Sequence, residues 1–254
     1  MGKIKYKNIN NISSMRKLAL GAWSNPSDPS VNVEFELDVT KLNANQKEFK
    51  PLFIKIISKV MNEHPELNRI LIRRKFRQRL DNRIFIPAVI RSKNNFDLSG
   101  IYIDHAYSKN NDVLESEWNQ KISELRTGKN KKINRARKIY QLIPSIWLRV
   151  ITKLISFFHY TLNIPISLIG LPDDPFGAIT ITFLDKFNIK YAHVPIYAFS
   201  RSSVTLSVGK SFKVLDKEFL PLTCTFDHRY FDGMEGAKAY KKLQMYCNNP
   251  SLIQ

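Results

Sequence analysis

Residues 219–236, FLPLTCTFDHRYFDGMEG, decide the expected fold, because a strand, a turn and a helix follow one another there. Apolar residues alternate with proline and threonine, which predicts a β-strand with one buried face. The apolar positions are Leu220, Leu222, Cys224 and Phe226, and the intervening positions are Pro221, Thr223 and Thr225. The Asp-Gly pair at 232–233 indicates a turn, and GMEGAKAYKKLQMYC indicates a helix. His228 therefore follows a rigid strand, a position suited to catalysis, although an ordinary polar loop has the same composition.

The rest of the chain predicts helices and strands that do not alternate regularly. VNVEFELDV at 31–39 alternates as a half-buried strand, and residues 50–67 place apolar side chains on one helical face that ends before Pro65. Further segments predict a helix at 10–24, a hairpin over 69–91 with its turn at 81–83, a helix at 114–126, and strands within 178–184 and 202–211. This order favours an α+β fold with a mixed sheet.

Several of these segments resemble one known family. DHRYFDG at 227–233 matches the His-xxx-Asp-Gly signature of the catalytic domain of 2-oxoacid dehydrogenase acyltransferases (dihydrolipoamide acyltransferases) and of the related chloramphenicol acetyltransferases. In chain order, EFELDVTKL at 34–42, FKPLFIKIISKVMNEHPELN at 49–68, FGAITITFL at 176–184 and CNNPSLIQ at 247–254 are also similar to that domain. The resemblance covers roughly residues 14–128 and 174–254 and leaves out the middle of the chain.

The resemblance implies a two-layer α+β sandwich, with a mixed β-sheet on one side and helices on the other. It implies a single domain over residues 1–254, with a basic and aliphatic insert at about 129–172. We expect a stand-alone catalytic domain, because the chain contains nothing similar to a lipoyl domain, a subunit-binding domain or an Ala/Pro-rich linker. The family forms trimers and uses coenzyme A as acyl-CoA, with the active site in a channel between subunits.

The resemblance also implies a mechanism of direct acyl transfer. His228 would be the general base that takes the proton from a thiol or hydroxyl acceptor, a task suited to a group that titrates near neutral pH. The acceptor would attack the thioester without an acyl-enzyme. Thr182, with Thr180 beside it, stands where the family has the serine or threonine that stabilises the oxyanion. A β-branched residue is also an ordinary choice for any strand, so Thr182 has a purely structural interpretation too.

In the family, the aspartate of the signature is structural and pairs with an arginine of the N-terminal helix. Asp232 and Arg16 occupy these positions here, and Gly233 would permit the close turn. The family has small, glycine-containing residues after the oxyanion donor, whereas this chain has Phe183 and Asp185 in that region. A non-catalytic trimeric scaffold that keeps the fold therefore remains an alternative to an active enzyme.

The formal net charge of +18 predicts attraction to polyanions such as the phosphates of coenzyme A, an anionic membrane or an acidic protein. Seven basic residues lie within 69–83, where a solvated strand face is the simplest explanation for Arg73, Lys75, Arg77 and Arg79. Nucleic acid is not favoured, since only Phe76 interleaves with this charge. The histidines show no metal-ligand spacing, so no metal is expected.

The insert at 129–172 has two open interpretations. Its basic run KNKKINRARK and the uncharged stretch at 154–172 fit a helix lying on an anionic membrane surface, and they equally fit a segment that covers the active-site entrance or a subunit interface. Pro165 and Gly170 argue against a membrane-spanning helix. Two cysteines without a disulfide framework and an N-terminus without an apolar signal favour a cytoplasmic protein, peripheral to the membrane under the first interpretation.

Overall fold

A mixed β-sheet of seven strands forms the centre of the protein in a computed structural model of the chain. The structure describes residues 5–8, 29–42, 49–92, 95–127, 144–169, 173–196 and 200–253. The strands are β1 (Tyr6–Asn8), β2 (Ser30–Asp38), β3 (Arg69–Ile72), β4 (Lys75–Arg79), β5 (Arg83–Ser92), β6 (Asn95–Asp104), β7 (Ile179–Phe183), β8 (Val204–Val208), β9 (Phe212–Val214) and β10 (Lys217–Asp227). The helices are α1 (Phe49–Glu63), α2 (Asn111–Arg126), α3 (Ser145–Ser156) and α4 (Gly233–Asn248).

The large sheet has the order β2-β10-β8-β7-β5-β6, and β9 pairs with the end of β10. β7 runs parallel to both β5 and β8, whereas the pairs β10–β2, β10–β8 and β5–β6 are antiparallel. The predicted mixed sheet is therefore confirmed. β10, the strand that leads to His228, lies between β2 and β8 and is fixed by hydrogen bonds on both sides.

The helices cover the apolar face of this sheet, which confirms the two-layer α+β sandwich. Helix α1 contributes Phe53, Ile56 and Val60 to the core, and α4 contributes Leu243. They pack with the apolar side chains of the strands, among them Leu37, Ile84, Ile181, Leu206 and Leu222. Because side chains alternate along a strand, the other face of the central strands carries the intervening residues, most of which bear hydroxyl groups.

A second, antiparallel sheet of three strands has the order β1-β4-β3. The predicted hairpin over 69–91 is wrong, because β3 pairs with β4 through a two-residue turn at Arg73 and Arg74, while β5 pairs with β6 and β7. Both turn arginines have positive φ, 53° and 58°. Two-residue turns of this kind favour Asn and Gly, so two arginines are not a usual sign of a turn.

The expectation that Arg73, Lys75, Arg77 and Arg79 form a solvated strand face is wrong at Arg79. Its side chain is only 1% exposed, and its Nε lies 2.6 Å from Asp174 Oδ2. It also donates to the carbonyl oxygens of Arg69 and Arg201. A buried guanidinium with a carboxylate and two carbonyl acceptors joins β4 to the segment before β7 and to the loop before β8.

Within the insert, α3 continues into one π-helical turn, Phe157–Thr161. Tyr160 is buried against Ile70 and Ile72 of β3, and its hydroxyl donates to Ser200 O at 3.4 Å. Among the described residues, no helix is long and apolar enough to cross a membrane. The predicted helix at 10–24 and the basic run at 129–138 lie outside the described residues.

Candidate functional site

His228 is the first residue after β10 and begins a tight turn. Its backbone N–H donates to Pro29 O at 3.1 Å, and the neighbouring Asp227 N–H donates to Ser203 O at 3.0 Å. The imidazole is half-buried, with its centroid 6.0 Å from that of Phe226. The backbone that carries the histidine is thus attached to β2 on one side and to the loop before β8 on the other.

An internal ion pair shapes the turn on either side of His228. The carboxylate of Asp227 is buried and accepts hydrogen bonds from Arg229 N at 2.9 Å, Nε at 3.0 Å and Nη2 at 2.6 Å. Hydrogen bonding to Asp227 raises the pKa of the Arg229 guanidinium. Arg229 is therefore directed to Asp227, and Asp232 takes part in a different set of hydrogen bonds.

Asp232 caps helix α4. Its Oδ1 accepts hydrogen bonds from Met234 N at 3.0 Å and Glu235 N at 3.1 Å, while Glu235 Oε2 accepts from Asp232 N at 3.1 Å. This reciprocal arrangement is a capping box, which satisfies backbone donors that a helix start leaves without partners. Arg16, the predicted partner of Asp232, lies outside the described residues.

Gly233 does not have the role that the sequence predicts for it. It is the first residue of α4, its φ lies outside the left-handed region, and a Cβ added there would meet nothing within 4 Å. The turn is held instead by Tyr230 and Phe231, which are both buried. The Tyr230 hydroxyl accepts from Leu71 N and donates to Arg201 O, each at 3.3 Å.

Arg69 of β3 supports this turn from outside it, a contact that the sequence did not predict. Its Nη1 donates to Tyr230 O at 3.1 Å and lies 3.7 Å from Glu235 Oε1. The contact joins β3 to a turn that is far away in the sequence, so no local sequence pattern could predict it. The basic run at 69–83 thus contributes one residue to the support of the candidate site.

Thr180 and Thr182 lie on the hydroxyl-bearing face of the central strands. Thr180 is buried and aligned with Thr205, whereas Thr182 is half-buried and aligned with Ser207. Ser207 in turn aligns with Thr223 of β10. In the described part of the chain, the buried Ser207 Oγ and Thr223 Oγ1 have no hydrogen-bond partner. A line of hydroxyl groups therefore extends from Thr182 across β8 to β10.

The structure does not bring Thr182 and His228 together within one protomer. Thr182 is level with Thr223 across β8, and His228 comes five positions after Thr223 along β10. With about 3.3 Å per residue along a strand and about 4.8 Å between strands, roughly 15–20 Å separate the two backbones. A site that uses both side chains requires each of them from a different copy of the chain.

The segment after β7 lacks the glycine-containing turn of the family that the sequence resembles, and it is held by contacts with α1 and the sheet. Asp185 forms an ion pair with Lys50 of α1 at 2.9 Å, and the ammonium of Lys50 lies 5.1 Å from the centroid of Phe183. The chain then approaches β8 so closely that a Cβ on Gly209 would lie 1.9 Å from Lys190 O. These contacts attach the segment that follows Thr182 to both α1 and the sheet.

No group of three or more His, Cys, Asp and Glu side chains that could hold a metal ion occurs within the described ranges.

Comparisons with known proteins identify the fold. No protein-family model matches the chain, and no curated protein sequence does. Among solved structures, the cubic core of the pyruvate dehydrogenase multienzyme complex has a TM-score of 0.62 and 17% identity, over 97% of this chain and 94% of that chain. A chloramphenicol acetyltransferase has a TM-score of 0.57 and 15% identity, over 96% and 100% of the two chains.

A third similar structure is the dihydrolipoamide acetyltransferase of Azotobacter vinelandii, with a TM-score of 0.62 and 18% identity over 97% of this chain and 94% of that chain. It was determined to investigate the role of a serine, a histidine and, four positions after the histidine, an asparagine in the catalytic mechanism of that enzyme. The chain therefore has the fold shared by dihydrolipoamide acetyltransferase catalytic cores and chloramphenicol acetyltransferase.

Proposed function

We propose that the protein is an acyltransferase that moves an acyl group from coenzyme A to a thiol or hydroxyl acceptor, with His228 as general base. The observation that carries this proposal is the position of His228, which follows β10 in a braced turn of a chain with an acetyltransferase fold. A general base works best when its own backbone is fixed, because proton transfer requires a short and well-directed hydrogen bond.

In the proposed reaction, a ring nitrogen of His228 accepts the proton of the acceptor as its sulfur or oxygen attacks the thioester carbonyl. The tetrahedral intermediate carries a negative oxygen, to which the Thr182 hydroxyl donates a hydrogen bond. Collapse of the intermediate breaks the bond from carbon to sulfur, and the departing thiolate takes the proton from the imidazolium. The acyl group is then on the acceptor and free coenzyme A leaves, with no covalent enzyme intermediate.

We further propose that the protein forms trimers in which His228 of one copy faces Thr182 of the next. The roughly 15–20 Å between the two backbones in one protomer supports a site between copies. The fold relation to the cubic core of the pyruvate dehydrogenase complex supports assembly of this kind. Surplus positive charge would attract the phosphates of coenzyme A to such a site.

Asp232 stands four positions after His228, the same spacing as between the histidine and the asparagine of the Azotobacter enzyme. In this chain its carboxylate caps α4 immediately after the turn. We assign it a positioning role: it fixes the start of α4 and, through it, the turn that carries His228.

Acyl-CoA turnover with a thiol acceptor, measured from pH 6 to 9, tests the proposal. The wild type should release coenzyme A, and His228→Ala should lower kcat/KM by about 10²–10⁴-fold while its melting temperature stays close to that of the wild type. His105→Asn is a control, because His105 is also half-buried but follows β6, at the opposite edge of the large sheet from β2 and β10, and Asn tolerates its φ of 50°. Equal activities of His228→Ala and wild type would refute the role of His228.

A non-catalytic scaffold with the same fold is the second candidate. It is favoured by the ion pair between Asp185 and Lys50, which occupies the region where the family has small residues. Absence of coenzyme A release with acyl chains of every length tried, from a correctly assembled trimer, would favour this candidate.

A further inference from the structure

Helix α3 and its π-helical continuation expose a continuous apolar face. Large apolar side chains recur at spacings of three and four residues and are all exposed: Trp147, Val150, Leu154, Phe157, Phe158 and Leu162. Residues at this spacing share one side of a helix. Trp147 is 61% exposed, which is unusual for an indole, and large exposed apolar patches on a protein surface mark interaction sites.

A basic hairpin tip adjoins this apolar face. Arg73 Nε donates to Thr161 O at 2.9 Å and its Nη2 donates to Leu162 O at 3.2 Å, so the β3–β4 turn lies at the C-terminal end of the helix. Arg73, Arg74 and Lys75 are all exposed. The positive charge therefore adjoins the C-terminal end of the apolar face, and we call the two together the insert face: the six apolar residues above with Arg73, Arg74 and Lys75.

The two arginines at this tip have an unfavourable backbone conformation. Both have positive φ, a region where residues with a Cβ are strained and where turns favour Asn or Gly. Such strain is often found where a side chain has a function. Arg73 uses its guanidinium to hold the end of the insert, and Arg74 adds an exposed positive charge at the same tip.

The segment that carries the apolar face contains no acidic residue. The sequence contains no acidic residue between Glu124 and Asp173, and Lys153 on α3 is exposed as well. Asp173 accepts a hydrogen bond from Ser167 N, and Asp174 pairs with the buried Arg79. Exposed aromatic and aliphatic groups bordered by cations match the boundary between acyl chains and anionic headgroups.

We propose that the insert face binds the surface of an anionic lipid bilayer. The aromatic and aliphatic side chains enter the headgroup boundary, with α3 parallel to the membrane plane, while Arg73, Arg74 and Lys75 contact phosphate or carboxylate headgroups. This binding would hold the protein at the membrane surface, and no part of the insert face would cross the bilayer. This proposal does not depend on acyltransferase activity, since it concerns binding alone.

Flotation with vesicles tests the proposal. Wild-type protein should float with vesicles of phosphatidylcholine and phosphatidylserine at a ratio of about 7 to 3, and should remain at the bottom with phosphatidylcholine alone or at high salt. The fluorescence of Trp147 should shift to shorter wavelength on binding, and this shift should disappear in Trp147→Phe. Absence of flotation at low salt would overturn the proposal.

Two pairs of variants separate this surface from general adhesion. Leu154→Ser with Phe157→Ser should weaken binding by more than about tenfold, whereas Val113→Ser with Leu215→Ser, exposed apolar residues elsewhere, should not. Arg74→Asn with Lys75→Gln should weaken binding by about fivefold per charge, whereas Lys186→Gln with Lys213→Gln should have little effect. Asn suits the backbone of position 74, so this charge variant should fold.

Equal binding of each variant and its control would overturn the proposal, because net charge alone would then explain adhesion. Light scattering on the Leu154→Ser, Phe157→Ser variant provides the remaining outcome. If this variant loses an oligomeric state that the wild type has, the insert face is an interface between copies of the chain and the membrane proposal is wrong.

Discussion

The turn at residues 227–235 and helix α3 use their side chains in opposite ways. In the turn, Asp227 binds Arg229 and Asp232 caps α4, so the polar groups bond to one another inside a short stretch. In α3, Trp147, Leu154 and other large apolar groups extend into solvent. The turn is thus fixed by its own polar groups, whereas the exposed apolar groups of α3 are the basis of our proposal that this helix binds a lipid surface.

Both regions are nevertheless attached to the same short loop. The carbonyl of Arg201 accepts hydrogen bonds from Arg79 and from the Tyr230 hydroxyl, and the carbonyl of Ser200 accepts one from Tyr160 of the insert. Variants that damage this loop should therefore affect both regions, and variants within either region should affect only one.

The largest expected loss of stability comes from breaking the buried ion pair between Arg79 and Asp174, which contacts this loop. Asp174→Ala leaves the buried Arg79 guanidinium without its carboxylate and should lower the free energy of unfolding by about 3–5 kcal/mol. Chemical denaturation measures this loss. Asp173→Ala, one residue away and without an ion pair among the contacts described above, should cost less than about 1 kcal/mol. Similar losses for both variants would contradict the bracing role of Arg79.

A smaller effect is expected at Tyr230, which belongs to the turn. Tyr230→Phe removes a buried hydroxyl that accepts from Leu71 N and donates to Arg201 O, and should lower the free energy of unfolding by about 1–2 kcal/mol. Tyr102→Phe is the control, because that ring is exposed at the sheet surface. If Tyr230→Phe is as stable as the wild type, the hydroxyl does not brace the turn.

Substitution of Asp232 distinguishes helix capping from a charge effect. Asp232→Ala should lose about 1 kcal/mol, because the capping oxygen disappears, whereas Asp232→Asn should lose only a few tenths if capping is the whole role. Equal losses for Ala and Asn would show that the negative charge matters, as the predicted pairing with Arg16 requires. Thermal denaturation with an activity assay on the same samples measures both variants.

The smallest effect on stability should come from the apolar face of α3. Trp147→Ser and Leu154→Ser remove exposed side chains and should change the free energy of unfolding by less than about 0.5 kcal/mol. Leu243→Ala in the buried core of α4 should lose about 2–5 kcal/mol in the same assay. A large loss of unfolding free energy for Trp147→Ser would show that this residue packs within the protein. The difference between the self-bonded turn and the solvent-facing helix would then be wrong.

Much of the fold could be predicted because its signals are local. The strands β2 and β10 and the apolar face of α1 depend on neighbouring residues, and the structure confirms all three elements. The single buried face predicted for β10 is wrong, because this central strand is buried on both faces, and Val33 of β2 is exposed. The turn between β3 and β4 was missed because Arg73 and Arg74 give no turn signal. β6 was missed because NFDLSGIYID does not alternate clearly, and Gly100 lies there under the ring of Phe85.

The candidate site was less predictable, since it depends on contacts between distant parts of the chain. The motif DHRYFDG indicated His228. The distance between His228 and Thr182 follows from the register of β7, β8 and β10, which the motif does not contain. The burial of Arg79 likewise follows from Asp174, which lies 95 positions away. A strand of alternating cations has the same sequence pattern whether its last residue meets water or a buried carboxylate.

The activity of mixed oligomers is the sharpest test of the proposal that His228 and Thr182 act from different copies. His228→Ala and Thr182→Ala should each lose at least about 10²-fold in kcat. Equal amounts of the two variants, unfolded and refolded together, should recover about a quarter of wild-type activity, since random mixing gives both intact residues at one interface in four. Activity that stays at the sum of the separate variants would contradict a site shared between copies.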